Sequence, residues 1–396
     1  MKLYSMKIYF FISYLFIIPI LGIAQSTNFG EQFSNAIIIR YQPTIDELTH
    51  KGWDHSNSII LHGMEKIYLN TRNPEYLTYI QAFVDSFVDE DGKISALKAE
   101  LDGIHPGMLC LFLYEETGDK KYKVAATKMR NYLLGTASSS IIFNKTPDGG
   151  YWHKNNDHYN DVMTIDGAYM ANPFLVKYGI MFNDSLSIET ATFQTLLVAS
   201  RTFNIDSHLP YHGWDYRKNK SWANTITGTS TEVWSRSIGW FSMALADMLE
   251  SLPPTHKDFQ NLLYLYQRLA IGIRNTQNNN DGLWYQLINH KELPGNYPET
   301  SGSGMIIYAL QKGITNGWLD VSYLEVTEKG WNGLKTFISL YTDGKPLIKS
   351  FCPGMGIKDS AEDYLAVRPV DCPSTAAKQH PHGYCAILMA ASVMEK

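Results

Sequence analysis

Twelve segments with apolar residues at helical spacing run the length of this chain, and that recurrence narrows the fold more than any other feature. They cover roughly 31–42, 56–70, 74–89, 103–117, 119–134, 165–180, 185–203, 233–250, 257–277, 299–314, 319–341 and 382–395, while alternating β-branched runs are scarce. The even-numbered segments share a start in which a polar residue stands beside a small one. These starts are Asn57-Ser58, Asp102-Gly103, Asp166-Gly167, Arg236-Ser237, Ser301-Gly302 and His382-Gly383, each followed by an apolar stretch. The odd-numbered segments open on solvent-type charges. Ile67–Tyr76 also matches Leu113–Tyr122 at an offset of 46 residues, both reading as helix, tight turn and next helix, with a Gly or Asn as the left-handed cap. Six such pairs predict an all-α (α/α)6 toroid of about twelve helices. Its apolar helices form an inner ring, and their polar-small starts meet at one mouth.

Composition sets outer limits. Of 396 residues, 44% are hydrophobic, 13% aromatic and 18% charged, which excludes a disordered chain. Lys and Arg total 34 against 39 Asp and Glu with no basic run, so nucleic acid is not expected as a partner. Lys2 and Lys7, the uncharged apolar run Tyr9–Ile23 and the small residues Gly22-Ile23-Ala24 read as a signal peptide over 1–24. A transmembrane anchor would need a run of about 20 residues. The expectation is therefore an exported protein, periplasmic or secreted and free of the membrane after cleavage, with a single domain over 25–396. Four cysteines remain (Cys110, Cys352, Cys372, Cys385), and four allow three pairings that sequence does not separate. Cys110 reads as a small core residue. Cys372, His380, His382 and Cys385 lie close in sequence, but without a C-x-x-C no zinc site, and no other metal or cofactor, is expected.

Chemistry gathers on the long loops Gly135–Met163 and Phe203–Glu232 and on the helix starts. Asp166 lies in an apolar run with no cation within four positions. Desolvation there would raise its pKa and keep a proton available near neutrality, and Gly167 would leave room for a ligand. As a helix cap, Asp166 would instead be held low. Asp102 alone reads as a cap. Paired with Asp166 from the neighbouring inner helix, it makes the two-carboxylate equipment of glycosidic or enol-ether chemistry. Trp234, Arg236 and Trp240 bring a carboxylate-binding fork and sugar-stacking faces to one helix start. Tyr211-His212-Gly213-Trp214 and Gly149–Lys154 add aromatic-histidine clusters on the long loops.

Across essentially the whole chain after the leader, these motifs resemble the unsaturated glycuronyl hydrolases, in particular the unsaturated rhamnogalacturonyl hydrolases of glycoside hydrolase family 105 and, more distantly, family 88. The carriers are Leu101–Gly107, Gly149–Lys154, Ile165–Phe174, Tyr211–Trp214, Trp234–Trp240, Glu299–Ser303 and His382-Gly383, in that order. The resemblance implies a six-hairpin toroid that removes the Δ4,5-unsaturated uronic acid left by a polysaccharide lyase. It does so by hydrating the C4–C5 enol ether, with no cofactor. It further implies Asp166 as proton donor and water activator and Asp102 as its partner. His212, Arg236, Trp234, Trp240, Trp214, His153, Lys154 and His55 are implied as substrate-binding. Thr164 and His55 stand where other family residues are common, which leaves the leaving sugar open between rhamnose, sulfated rhamnose and hexosamine. Two other classes also fit the motifs: a non-catalytic carbohydrate-binding toroid, and another toroid enzyme such as a uronate lyase or sugar epimerase.

Overall fold

A computed structural model describes residues 28–136, 141–373 and 382–396. The expected leader (1–24) and His380 of the cysteine–histidine grouping lie outside these residues. In chain order the helices are α1 (Phe29–Arg40), α2 (Asp46–Thr49), α3 (His55–Thr71), α4 (Pro74–Asp85), α5 (Gly107–Thr117), α6 (Lys120–Leu134) and α7 (Ile165–Phe182). There follow α8 (Ser185–Thr202), α9 (Ser235–Ser251), α10 (Phe259–Thr276), α11 (Thr300–Thr315), α12 (Tyr323–Lys335), α13 (Ala361–Ala366) and α14 (His382–Met394). All twelve expected segments are helices, and α2 and α13 are short additions.

The inner ring closes on itself: α3 packs on α5, α5 on α7, α7 on α9, α9 on α11, α11 on α14, and α14 back on α3. Each outer helix covers a partner, as α8 does α7 and α12 does α11. The two layers differ as burial demands. Every residue of α9 from Ser235 to Leu249 is buried, whereas α10 buries only a stripe through Phe259, Leu262, Tyr266, Leu269 and Ile273. Inner helices approach closely because small residues face neighbours. A Cβ on Gly63 would lie 2.8 Å from Leu388 Cβ, and one on Gly304 would lie 2.6 Å from Ala386 O. The chain ends are clasped: Glu395 accepts from the Gly30 amide at 3.1 Å, and Asn28 Nδ2 donates to Glu395 O at 3.2 Å.

Several local expectations need correction. In the 46-residue match the left-handed residue is Gly118 in one copy but Arg72 (φ 57) in the other. No asparagine takes that place; Asn73 and Asp119 cap the following helices. The segment expected over 319–341 stops at Lys335. The chain then enters a three-stranded antiparallel sheet of Ile338–Leu340, Pro346–Phe351 and Val370–Cys372. Asp102 does not open α5 but sits on a separate 3-10 turn, Leu101–Gly103. All four cysteines are buried and unpaired, and Cys110 is a core residue as expected. No helix among the described residues is long and apolar enough to cross a membrane.

At the carboxyl ends of the inner helices lies a buried ionic cluster. His62 Nδ1 meets Glu65 at 2.8 Å, and Lys66 meets Glu65 at 3.3 Å. Lys312 bonds Asp247 at 2.8 Å and Glu250 at 2.5 Å, and Tyr308 donates to Asp247 at 2.9 Å.

Candidate active site

The amino-terminal starts of the inner helices meet around a cavity of ≈ 270 Å³. Its wall includes His55, Asp102, His153, Lys154, Tyr159, Thr164, Asp166, Met170, Trp234, Arg236, Trp240, Gly354–Gly356 and His382. Trp53 Nε1 fixes the Asp102 turn by donating to Gly103 O at 3.1 Å, and the Leu101 amide bonds His153 O at 3.1 Å. Gly167 does not leave the ligand space expected of it. A Cβ there would lie 2.9 Å from Leu101 Cδ1 and 3.2 Å from His153 Nδ1, so the glycine lets the Asp102 turn press against α7.

Asp102 is 2% exposed, with one lysine and two histidines around it. His153 Nε2 lies 3.2 Å from Oδ1, while Lys154 Nζ at 2.5 Å and His55 Nδ1 at 3.5 Å approach Oδ2. Burial works against its charge, but His55, His153 and Lys154 outweigh burial and hold the carboxyl well below the ordinary value. The pairing is mutual. Burial disfavours the His55 imidazolium, yet Asp102 and Asp54 raise its pKa.

Asp166 stands in the first turn of α7, where Thr164 rather than Asp166 is the cap, accepting from the Gly167 amide. Thr164 also meets His153 Nδ1 at 2.8 Å. A short antiparallel pairing of Val162–Thr164 with Gly213–Asp215 sets Thr164 opposite Gly213, and the Ile165 amide bonds His212 O at 3.2 Å. That register carries His212 to Asp166, with Nε2 3.4 Å from Oδ2. The expected upward shift of Asp166 is therefore reversed: burial pushes it up, but His212 and His153 hold it below the ordinary value. Its Oδ1 is buried and makes no hydrogen bond among the described residues.

The remaining candidates separate into two groups. His153, Lys154, His55, Trp234, Arg236 and Trp240 do line the cavity. Trp240 stacks on Tyr169 at 5.3 Å, and Trp234 carries the Arg236 guanidinium 4.7 Å over its ring. Arg236, expected as an open fork, is 1% exposed and largely engaged. Its terminal nitrogens donate to Cys352 O at 2.5 Å, Pro353 O at 2.6 Å and Ser301 Oγ at 3.1 Å, leaving Nε without a partner. It thus ties down the loop that supplies Gly354–Gly356. His212 lies behind Asp166, outside the wall. Trp214 is not in the wall either: its indole donates to Thr227 O at 2.9 Å, and Arg201 lies 5.3 Å over its ring. Sequence reasoning missed Tyr159, whose hydroxyl burial pushes up to about 12, and the Gly354–Gly356 loop. Tyr159 lies on the long loop Gly135–Met163 between His153 and Asp166, a signal that could have found it, whereas the Gly354–Gly356 loop arrives by long-range packing. No group of three or more His, Cys, Asp or Glu side chains among the described residues could hold a metal ion.

A closed ring of helix hairpins with two carboxylates, histidines and tryptophans in its mouth defines a carbohydrate-active toroid enzyme. The chain belongs to Glycosyl Hydrolase Family 88, whose profile matches residues 30–396. It is 26% identical over 276 residues to the unsaturated rhamnogalacturonyl hydrolase YesR of Bacillus subtilis (strain 168), covering 69% of this chain and 73% of YesR. It is 38% identical over 152 residues to Protein Atu3128 of Agrobacterium fabrum, covering 38% of this chain and spanning only 63% of that relative's length. A family 105 glycoside hydrolase from C. acetobutylicum ATCC 824 superposes with a TM-score of 0.83 at 29% identity, covering 93% of this chain and 99% of the other.

Proposed function

We propose that the protein releases the Δ4,5-unsaturated uronic acid from the non-reducing end of lyase-generated oligosaccharides of the rhamnogalacturonan or ulvan type. The observation that carries the reading is that Asp166 shares one cavity wall with a second carboxylate, Asp102, which Lys154 and His153 hold in place. In the free protein Asp166 is held ionised. A bound uronate places a second negative charge beside it and raises its affinity for a proton. Asp166 then protonates C4 of the enol ether, and positive charge develops at C5 and the ring oxygen. Water adds at C5 and returns its proton to Asp166. The resulting hemiketal opens and expels the leaving sugar, so one water is consumed per cleavage. Asp102, fixed by His55, His153 and Lys154, orients the water and sugar, while Trp234 and Trp240 supply faces for the ring. Similarity to YesR favours a rhamnose-containing substrate, and the leader-like sequence of residues 1–24 supports an activity outside the cytoplasm.

The test is a panel of lyase-made unsaturated oligosaccharides from rhamnogalacturonan, ulvan and glycosaminoglycans, incubated without added metal. The enol-ether absorbance should vanish on at least one rhamnose-bearing substrate, with one water gained per cleavage by mass spectrometry. A stable band on every substrate refutes the proposal. A gain of enol-ether absorbance points to a lyase instead, and an altered sugar configuration with the band and mass unchanged points to an epimerase.

A further inference from the structure

Behind Asp166 the structure holds a residue with no place in the reading so far. Tyr364, on α13, is fully buried, and its hydroxyl lies 2.7 Å from His212 Nδ1. The other nitrogen of that imidazole, Nε2, faces Asp166 Oδ2 at 3.4 Å. Tyr364, His212 and Asp166 therefore form one line into the cavity. We infer that Tyr364 is a positioning residue for the reaction: its phenol donates to His212 Nδ1, fixes the imidazole proton on Nε2, and so aims that proton at Asp166 Oδ2. This rests on the hydrolase reading above for its effect on turnover, but not for the tautomer itself.

The direction of donation follows from the surroundings. A phenol in an apolar pocket needs an acceptor, and His212 Nδ1 is the only one hydrogen-bonded to Tyr364 among the described residues. Burial keeps the phenol protonated, and the backbone amide of Lys358 faces its oxygen. With the phenol as donor, Nδ1 is the acceptor and Nε2 the donor. Asp166 Oδ2 then takes the imidazole hydrogen bond, while Oδ1 stays buried and Ser237 faces the carboxyl from α9. Other groups bear on this line from each packed element. His153 and Tyr159 face Asp166 from the loop before α7, and Ser237 faces it from α9. Glu232 lies near Tyr364 and is itself 3.3 Å from His290. None of them contacts His212 Nδ1, so the tautomer rests on Tyr364.

Tyr364→Phe removes only the hydroxyl and keeps the ring packed among Trp234, Leu287 and Cys352. Imidazole ¹⁵N spectra of the full chain, assigned with His212→Gln, should show protonated Nε2 and bare Nδ1 in the wild type and a mixture in Tyr364→Phe. Protonation on Nδ1 in the wild type, or unchanged spectra in the variant, overturns the inference. On a turned-over substrate, Tyr364→Phe should lower kcat at least about tenfold with KM changed by less than about threefold. The high-pH limb should also move upward, because ionised Asp166 loses a donor. In the His212→Gln background the same substitution should cost nothing more. Equal losses in both backgrounds, or an unmoved pH limb, also overturn it. If no panel substrate is hydrolysed, the functional proposal fails while the nitrogen spectra still decide this one.

Discussion

The two ends of the toroid bury similar charges and use them differently. At the carboxyl ends of the inner helices, Glu65, Asp247, His62, Lys66 and Lys312 come from regular helix positions one turn apart or on facing helices, and they join α3, α9 and α11. At the amino-terminal mouth, Asp102 and Asp166 come from turns and first helical residues, and their partners His153, Lys154 and His212 arrive on loops. Carboxylates at both ends are held below their ordinary values. Both ends also hold a cavity, ≈ 260 Å³ beside Lys66, Asp247 and Glu250 and ≈ 270 Å³ at the mouth, and Asp247 Oδ2, like Asp166 Oδ1, makes no hydrogen bond among the described residues. What differs is that the mouth carboxylates share their cavity wall with loop histidines and with Trp234 and Trp240. Charge in the helix bodies joins neighbouring inner helices, while charge at the helix starts is met by side chains that the long loops bring in.

Substitutions should separate the two ends, the largest effect first. Asp166→Asn should cut turnover by on the order of 10³–10⁴ with the melting temperature nearly unchanged, read by the enol-ether absorbance. Near wild-type turnover would remove Asp166 from the proton-donor role. At the far end, Lys312→Met strands a buried Asp247 charge, so urea unfolding should show a loss of about 3–5 kcal/mol while kcat per folded molecule stays the same. A stable variant with impaired turnover would erase the contrast between the ends. Asp102→Asn should fall between, losing roughly 10²-fold in kcat as Lys154 and His153 lose their anchor. A variant as inactive as Asp166→Asn would mean the two carboxylates act as one unit.

The smallest effect lies in pH. Asp102, Asp166, Glu65 and Asp247 have folded pKa values below their unfolded ones. Their contribution to stability is therefore complete above the ordinary carboxylate range near ~4 and lost as pH falls through the depressed values. Melting temperature should drop on acidification, less steeply in Asp102→Asn. His55 is shifted the opposite way, so its contribution is present at low pH and fades as pH rises through its raised value.

The helices were legible because each rests on a local signal. The apolar period and the polar-small starts of α3, α7, α9, α11 and α14 can be read within a few residues, whereas the N-cap role of Asn73 and Asp119 was missed. Asp102 and Asp166 were legible for the same reason. The charge state of Asp166 was not, because His212, 46 positions away, reaches it only through the pairing of Thr164 with Gly213. Arg236 was read as an open fork since nothing nearby in sequence announces the carbonyls of Cys352 and Pro353, more than a hundred residues on. Tyr364 carries no pattern at all. Its part depends on α13 folding back over the mouth, which no local period encodes.

The clasp between Asn28, Gly30 and Glu395 has a consequence for how the protein is made. The ring lacks one stave until α14 exists, and until then the apolar flanks of α3 and α11 look across an open gap. A nascent chain can form hairpins as it leaves the ribosome, but it cannot shut the barrel before Met394 has been added. Formation of α14 is thus also the step that seals the core. A chain stopped short of His382 leaves five hairpins around a breach, and a permuted gene that opens the circle elsewhere keeps all six.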